Sequence, residues 1–375
     1  MKCDIIIPVW NQPEHTQACI ESVVRNTRYP YRLIVIDNGS GEETRRYLAG
    51  LAGTIPDLVV IRNETNLGFV KAVNQGLRAS NAPYVCLLNN DTIPAPGWLE
   101  RLVEFAGLHK DAGLLNPLCD GHLDTPIDEY AGKVEANKGL YMEMNQCFGF
   151  CMLVKREVID AIGYLDEAFG IGGFDDTDYS MRAHKAGYRS VCVYSSYVYH
   201  KQHVSFRAMG DRKKLVSPGE KAYFAKWPRH LRIGLSFSLD EGTSDRDIEN
   251  LLKGLLYLAR EWCWVNLWIF GDPSASKARV EAAAKKTGMP LHQNLKFNYL
   301  PGRFGVAQSV IRLVERSFGT KRRKQYDAVL VDNEKALSIL GAFYPLHGVT
   351  VNRARFDKDP TQGLETIIAN ARKKG

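Results

Sequence analysis

The chain has 375 residues, of which 45% are hydrophobic and 24% charged, and its formal net charge is +7. This composition is ordinary for a globular protein, and at roughly 100–200 residues per domain the length predicts two domains. The modest positive charge permits contact with phosphates or a membrane surface but requires neither, and we expect no nucleic-acid partner.

The eight cysteines and the most apolar segments bear on where the protein works. Only Cys147 and Cys151 are close, at a spacing unusual for zinc or redox sites, so we expect reduced, mostly buried thiols in a cytoplasmic protein. The N-terminus enters a strand-like segment without the apolar region of a signal peptide. The stretch "WCWVNLWIF" is far short of the ~20 residues that span a bilayer. Any membrane contact should therefore be peripheral, at the inner face.

Short β-branched runs alternate with helical patterns in the first half of the chain. Strands are predicted at 3–10, 31–40, 58–66 and 82–92, and helices between them at 13–27, 41–53 and 68–80. This alternation predicts βαβ units and a parallel sheet, in which ligands bind at the carboxyl ends of the strands. Three strands end in polar turn residues, in "PVWN", "IDNGS" and "LNNDT". We expect these ends to converge on one rim.

The pattern is less regular after about residue 110 and restarts after Pro228. Residues 116–132 read as a binding or lid loop, and a short helix is predicted at 217–227, with Ser217 as cap and Pro218 at its first position. From about 231 a second α/β pattern begins, with strands at 232–239, 264–272, 294–301 and 326–333 and helices at 245–262, 277–288 and 305–318. This second unit has no G-x-G-x-x-G and no P-loop, so it carries no nucleotide fingerprint.

Asp175, Asp176 and Asp178 fall within four consecutive positions. Like charges this close raise the cost of ionising one another. A helix N-terminus explains one or two of them, since Asp175 or Asp176 could cap free N–H groups. The third carboxylate needs another reason.

The segment "LLNNDT" places Asn89, Asn90 and Asp91 where an apolar strand stops. A plain turn explains these residues. An acid at a strand end can also hold a hard divalent cation that bridges the phosphates of a nucleotide, with few protein ligands.

Seven segments resemble family 2 glycosyltransferases of the bacterial rhamnosyltransferase-like branch, in that family's order and spacing. They are "IIIPVWNQPEHTQACIESV", "LIVIDNGSGEET", "NLGFVKAVNQGLRAS", "YVCLLNNDTIPAPGWLERLV", "GFCMLVKREVIDAIGYLDEAFG", "DDTDYSMRAHKAGYR" and "YHKQHVSF". The resemblance implies a GT-A nucleotide-diphospho-sugar transferase domain with a Rossmann-like mixed sheet at 1–228. It leaves 229–375 as a second, smaller α/β domain of unknown role.

The same resemblance implies roles for particular residues. The nucleotide sugar, a UDP- or dTDP-sugar, is expected to contact Pro8, Val9, Asn11, Asp37, Asn66, Gly68, Lys71, Asn89 and Asn90. "NND" stands at the family's DxD position, so Asp91 is the expected ligand of Mn²⁺ or Mg²⁺. His200 fits the family's later metal-binding histidine, with His203 as a competitor.

The acidic cluster stands where the family has Glu-Asp-x-Asp. In an inverting mechanism a carboxylate deprotonates the acceptor hydroxyl as it attacks the anomeric carbon. The resemblance implies Asp176 as this base, with Asp175 second, and Asp178 orients the helix and pairs with Arg182 at i+4. The acceptor would be a glycan, glycolipid or glycoprotein.

Two other functions compete with glycosyl transfer. A nucleotidyltransferase would open with a glycine-rich, basic phosphate loop, which "PVWNQPEHT" lacks. A non-catalytic nucleotide-sugar-binding scaffold would act through the C-terminal unit, but unused carboxylates would be costly to hold together. The second unit could instead bind an acceptor, a second enzyme or a twin subunit, or serve only as packing.

Overall fold

A computed structural model describes residues 2–119, 127–201, 212–302, 307–311, 325–347, 349–354, 361 and 363–373. The chain divides into two compact units, Met1–Trp227 and Pro228–Gly375. Independent folding of residues 1–228 stays a prediction. Across the described part of the chain, no helix is both long and apolar enough to cross a membrane.

The strands of the first unit include the four predicted at its start. They are β1 (Cys3–Val9), β2 (Tyr31–Asn38), β3 (Leu58–Asn63), β4 (Tyr84–Leu88), β5 (Thr92–Pro94), β6 (Ala112–Leu118), β7 (Tyr141–Met144), β8 (Cys151–Lys155) and β9 (Arg189–His200). The helices are α1 (Pro13–Asn26), α2 (Glu42–Gly50), α3 (Phe69–Arg78), α4 (Trp98–Leu108), α5 (Ile127–Glu135), α6 (Arg156–Ile162), α7 (Asp175–Lys185) and α8 (Arg212–Lys226). A 3₁₀ turn spans Glu167–Phe169.

These strands form the predicted mixed sheet, in the order β7-β9-β6-β8-β4-β1-β2-β3. β1 pairs in parallel with both β2 and β4, whereas β8 runs antiparallel to β4 and β6. All seven residues of β1 are buried because helices cover both faces of a parallel sheet. Since β2 and β4 lie on opposite sides of β1, a crevice opens at the carboxyl ends of these strands.

Two predictions about the extent of a loop and a helix in this unit are wrong. The predicted loop at 116–132 contains the start of helix α5 at Ile127, and residues 120–126 lie outside the described part. Helix α8 begins at Arg212 rather than at Pro218, which lies inside it. Tertiary packing overrides the local signal, because a Cβ atom on Gly219 would overlap the carbonyl oxygen of Gly173. That turn of α8 therefore packs closely on the loop before α7.

The second unit is a parallel five-stranded sheet in the order β13-β11-β10-β14-β15. The five strands of this sheet are β10 (Leu231–Ser238), β11 (Cys263–Gly271), β13 (Leu295–Pro301), β14 (Ala328–Val331) and β15 (Thr350–Arg353). The two-residue strand β12 (Leu291–His292) also lies in this unit but is not part of the sheet. Its helices are α9 (Asp245–Arg260), α10 (Pro273–Thr287), α11 (Glu334–Ala342), α12 (Tyr344–His347) and α13 (Leu364–Lys373). The predicted second α/β domain is confirmed, although most of the helix predicted at 305–318 lies outside the described residues.

Candidate active site

A cavity of about 910 Å³ opens at the carboxyl ends of β1 and β4 in the first unit. Most of the predicted site residues line it: Pro8, Val9, Asn66, Gly68, Asn89, Asn90, Asp91, Asp175, Asp176 and His200. The strand order explains this convergence, since parallel neighbours end at the same rim. Asn11, Asp37 and Lys71 are not among its lining residues.

Asp37 and Asn11 instead shape the turn after β2. Asp37 is 1% exposed, forms an ion pair with Arg62, and accepts a hydrogen bond from the Ser40 N–H at 3.0 Å. Asn11 has a left-handed φ of 56°, and its side-chain oxygen accepts from the Gly41 N–H at 2.8 Å. These contacts fix the loops beside the cavity.

Asn38 is a cavity residue that the sequence reading missed, although it stands beside Asp37 in "IDNGS". Its side-chain oxygen accepts from the Leu67 N–H at 3.0 Å, and its amide donates to Asn66 Oδ1 at 2.8 Å. Asn38 therefore ties the end of β2 to the turn before α3. Other lining residues to which the sequence analysis assigned no role include Trp10, Gln146, Phe148, Gly149 and Phe150.

Asp91 and His200 meet at one end of the cavity. The Oδ1 atom of Asp91 lies 3.1 Å from Nε2 of His200. The pairing of β5 with β9 sets this approach, because Thr92 is in register with His200. The ring of Phe150 stacks on the imidazole, with centroids 5.2 Å apart. His203 lies outside the described residues.

This carboxylate–imidazole pair fits a hard divalent cation that also binds a diphosphate. Among the residues that the structure describes, no group of three or more His, Cys, Asp or Glu side chains could hold a metal ion. Mg²⁺-like cations need only one or two protein ligands when phosphate oxygens and waters complete the shell. Asp91 is only 8% exposed, but it lines the cavity, so its carboxylate can be reached from there.

Asp175 and Asp176 form the acidic side of the cavity. Gly173 N–H donates to Asp175 Oδ1 at 2.7 Å. Asp176 accepts from the Thr177 N–H at Oδ1, 2.7 Å away, and from the Gly149 N–H at Oδ2, 3.1 Å away. Burial and the charge of Asp176 raise the pKa of Asp175 to about 7, and burial also raises the pKa of Asp176.

The expectation that Asp175 or Asp176 is the helix N-cap is wrong. Helix α7 starts at Asp175, and its N-cap residue is Phe174, with φ 69° and no side-chain cap. Backbone packing of the glycine-rich turn decides this start, because Gly172 and Gly173 also have positive φ. Both carboxylates line the cavity, and Asp176 also accepts the Thr177 N–H of the first turn.

Asp178 has the separate, structural role that the third carboxylate required. It is fully buried and pairs with Arg182 at 2.9 Å, as predicted for i+4. Its other oxygen accepts from Trp227 Nε1 at 2.7 Å and from Lys226 Nζ at 2.8 Å. Asp178 thus joins α7 to the end of α8, and Arg182 and Lys226 balance its buried charge.

The chain is similar in sequence to several known proteins. Residues 4–163 match the model of glycosyl transferase family 2. Uncharacterized protein y4gI of Sinorhizobium fredii is 29% identical over 224 residues, which cover 54% of this chain and 24% of that protein. Glycosyltransferase AglE of Haloferax volcanii is 26% identical over 195 residues, which cover 49% of this chain and 62% of AglE. The chain thus spans less than two thirds of either relative.

A solved structure is similar over more of the chain. It is the mannosyltransferase PcManGT of Pyrobaculum calidifontis in complex with GDP-Man and Mn²⁺, at 17% identity and a TM-score of 0.47, with 86% of this chain and 84% of that one covered.

The rhamnosyltransferase-like branch stays a prediction. The matched segment contains β1 to β4 and the strand ends that form the rim, with the sequence motifs in the family's order. Residues 4–163, in the N-terminal region of this chain, therefore match glycosyl transferase family 2.

Proposed function

We propose that the protein is an inverting, metal-dependent glycosyltransferase. It moves a sugar from a UDP- or dTDP-sugar to a hydroxyl of a glycan, glycolipid or glycoprotein acceptor. The observation that carries this proposal is that one cavity in a family 2 domain holds both the Asp91–His200 pair and the Asp175–Asp176 pair. The first pair suits a diphosphate-bound cation and the second suits proton transfer.

The donor would lie along the ends of β1, β2 and β4. Pro8 and Val9 offer an apolar wall, and Asn66 and Gly68 begin the turn into α3. A Cβ atom on Gly68 would come within 3.0 Å of the Gly170 oxygen, so the glycine lets two cavity loops approach closely. Asp37 and Asn11 would act indirectly, by fixing the loop that surrounds the base and ribose. Lys71 does not line the cavity, but its exposed side chain would extend to the nucleotide.

Asp91 and His200 would hold the divalent cation, Mn²⁺ or Mg²⁺. When bound, such a cation neutralises the negative charge that develops on the leaving diphosphate. Asn89 and Asn90 would position the diphosphate and ribose beside it. Asn90 is held for this by its own donation to Thr16 Oγ1 at 2.9 Å.

Asp176 would be the general base. The acceptor hydroxyl attacks the anomeric carbon from the side opposite the diphosphate, a C–O bond forms, and the nucleoside diphosphate leaves with the electron pair of the broken bond. Oδ1 of Asp176 accepts from the Thr177 N–H and also from Gln146 Nε2 and Thr177 Oγ1, each at 3.3 Å. Oδ2 accepts the Gly149 N–H and keeps a second lone pair for the hydroxyl proton. A pKa raised by burial makes the carboxylate a better base than a solvated one.

The test is Asp176→Asn, which keeps the side-chain shape and removes the ability to accept a proton. We expect nucleotide-sugar binding to persist while transfer falls by ~10²–10⁴. Nucleotide binding is measured by calorimetry, and turnover by release of UDP or dTDP with Mn²⁺ or Mg²⁺. Asp175→Asn is the matched control, and a larger loss there would transfer the role to Asp175. Full transfer by both variants would remove the pair from the chemistry, and no turnover by the wild type with any donor would favour a binding scaffold.

A further inference from the structure

The segment Phe148–Phe150 connects the two ends of the cavity. The Phe150 carbonyl accepts from the Asn89 N–H at 2.8 Å, and the Phe150 ring stacks on His200. The next residue back, Gly149, donates its N–H to Asp176 Oδ2 at 3.1 Å. Phe148 is therefore adjacent in the chain to the group that holds the proposed base.

Phe148 presents its ring to the cavity in an unusual way. It lines the cavity and is 47% exposed. The other aromatic side chains of the described cavity wall are less exposed, and two of them are packed on neighbouring rings: Phe150 lies on His200 and Phe174 on Tyr223. Single exposed apolar side chains are common on surfaces, but one in the wall of a cavity suits ligand contact.

The backbone of Phe148 is fixed by a buried amide. Asn116 on β6 is 1% exposed. Its Oδ1 accepts from the Phe148 N–H at 2.7 Å, and its Nδ2 donates to the Phe148 carbonyl at 2.9 Å. The same Nδ2 also donates to the Cys151 carbonyl. Asn116 thus holds the backbone N–H and carbonyl of Phe148. Because this backbone is already fixed, a ligand that binds the ring loses little free energy to ordering of the segment.

We infer that Phe148 is the platform on which the acceptor binds, and that the acceptor is a sugar ring. This inference rests on the proposed glycosyl transfer. A pyranose has an apolar C–H face and a rim of hydroxyls, so its face stacks on the exposed ring while a rim hydroxyl reaches Asp176. Phe148 binds and orients the acceptor and takes no part in proton transfer. A lipid phosphate or a serine side chain offers no such flat face.

The decisive variants are Phe148→Ala and Phe148→Trp in the full chain. Acceptor probes are p-nitrophenyl glycosides of glucose, galactose, N-acetylglucosamine and rhamnose, each supplied with the nucleotide sugar that the wild type turns over. We expect Phe148→Ala to raise the acceptor KM about tenfold, the scale of one lost aromatic contact. The donor KM should change much less, and Phe148→Trp should restore the acceptor KM to within about threefold of wild type. Phe343→Ala is the control, since Phe343 is also exposed, at 39%, and lies in the other unit.

The outcomes separate this inference from the proposed function. An unchanged acceptor KM in Phe148→Ala overturns the inference, and so does an equal rise in donor and acceptor KM, which would place the ring at the donor. Transfer to none of the glycosides, with donor hydrolysis intact, overturns the assignment of a sugar acceptor. Wild-type protein that neither hydrolyses nor transfers from any donor refutes the proposed function, on which the inference depends.

Discussion

Asp175→Asn should make the protein more stable above neutral pH. In the folded protein, burial and the charge of Asp176 raise the pKa of Asp175 from 3.8 to about 7. The folded state therefore keeps a proton on Asp175 between about pH 4 and 7, where the unfolded chain has lost it, and stability falls as pH rises through that range. A shift of about three units corresponds to as much as about 4 kcal/mol above pH 7. Asparagine removes this cost and keeps an oxygen for the Gly173 N–H, 2.7 Å away in the wild type.

The assay is urea or thermal unfolding of wild type and variant at pH 5, 6, 7 and 8. The stabilisation by Asp175→Asn should grow from pH 5 to 7 and then level off, reaching on the order of 10 °C in the transition of the first unit. Asp166→Asn is the control of opposite sign. The Ala168 N–H and Lys226 lower the pKa of Asp166, so its replacement should cost stability at pH 8. A variant less stable than wild type at pH 8, or a difference that does not change with pH, would refute the reasoning.

Three further changes test the metal, the loop before α7 and the domain boundary. In a calorimetric titration, Asp91→Ala should weaken the binding of UDP or dTDP in Mn²⁺ and remove most of the difference in affinity between Mn²⁺ and a chelator. His200→Ala should have the same effect to a smaller extent. An unchanged dependence of nucleotide affinity on metal would reject these residues as metal ligands. Gly219→Ala should lower both transfer and the thermal midpoint because its Cβ would overlap the Gly173 carbonyl. Gly107→Ala in α4, whose Cβ would meet nothing within 4 Å, should be neutral, and equal effects of the two changes would contradict the packing. Residues 1–228 expressed alone should be soluble and bind nucleotide, whereas insoluble protein would mean that the two units share a core.

The first four strands can be predicted from the sequence because each apolar, strand-forming run is followed by polar residues where the strand ends. β1 is buried throughout, and polar residues follow at the rim, so both the strand and its ligand-facing end are visible in the sequence. The three residues of β5 are too few to form a pattern, yet their pairing with β9 brings His200 to Asp91. Contacts between segments distant in the chain are what single-sequence patterns omit.

The same limit explains the missed site residues. In "IDNGS" the charged residue draws attention, but Asp37 is neutralised by Arg62 on β3, and the neighbouring amide of Asn38 lines the cavity. Phe148 belongs to no sequence motif that marks it as a cavity residue. Its backbone is held by Asn116, which lies 32 positions earlier in the chain. Both cases depend on a partner from another strand, so neither could be found from local spacing.

The three carboxylates of the acidic cluster, Asp175, Asp176 and Asp178, differ in the groups that contact them. Asp178 is fully buried and meets two cations and an indole N–H, which compensate for its burial. Asp176 has backbone donors on both oxygens, and Asp175 accepts the Gly173 N–H. The ion pairs of the cluster therefore belong to Asp178. The two carboxyl groups that line the cavity, Asp175 and Asp176, have a raised pKa. Since burial favours the protonated form of a carboxyl group, the fold places two carboxyl groups of raised pKa, Asp175 and Asp176, in the wall of the cavity.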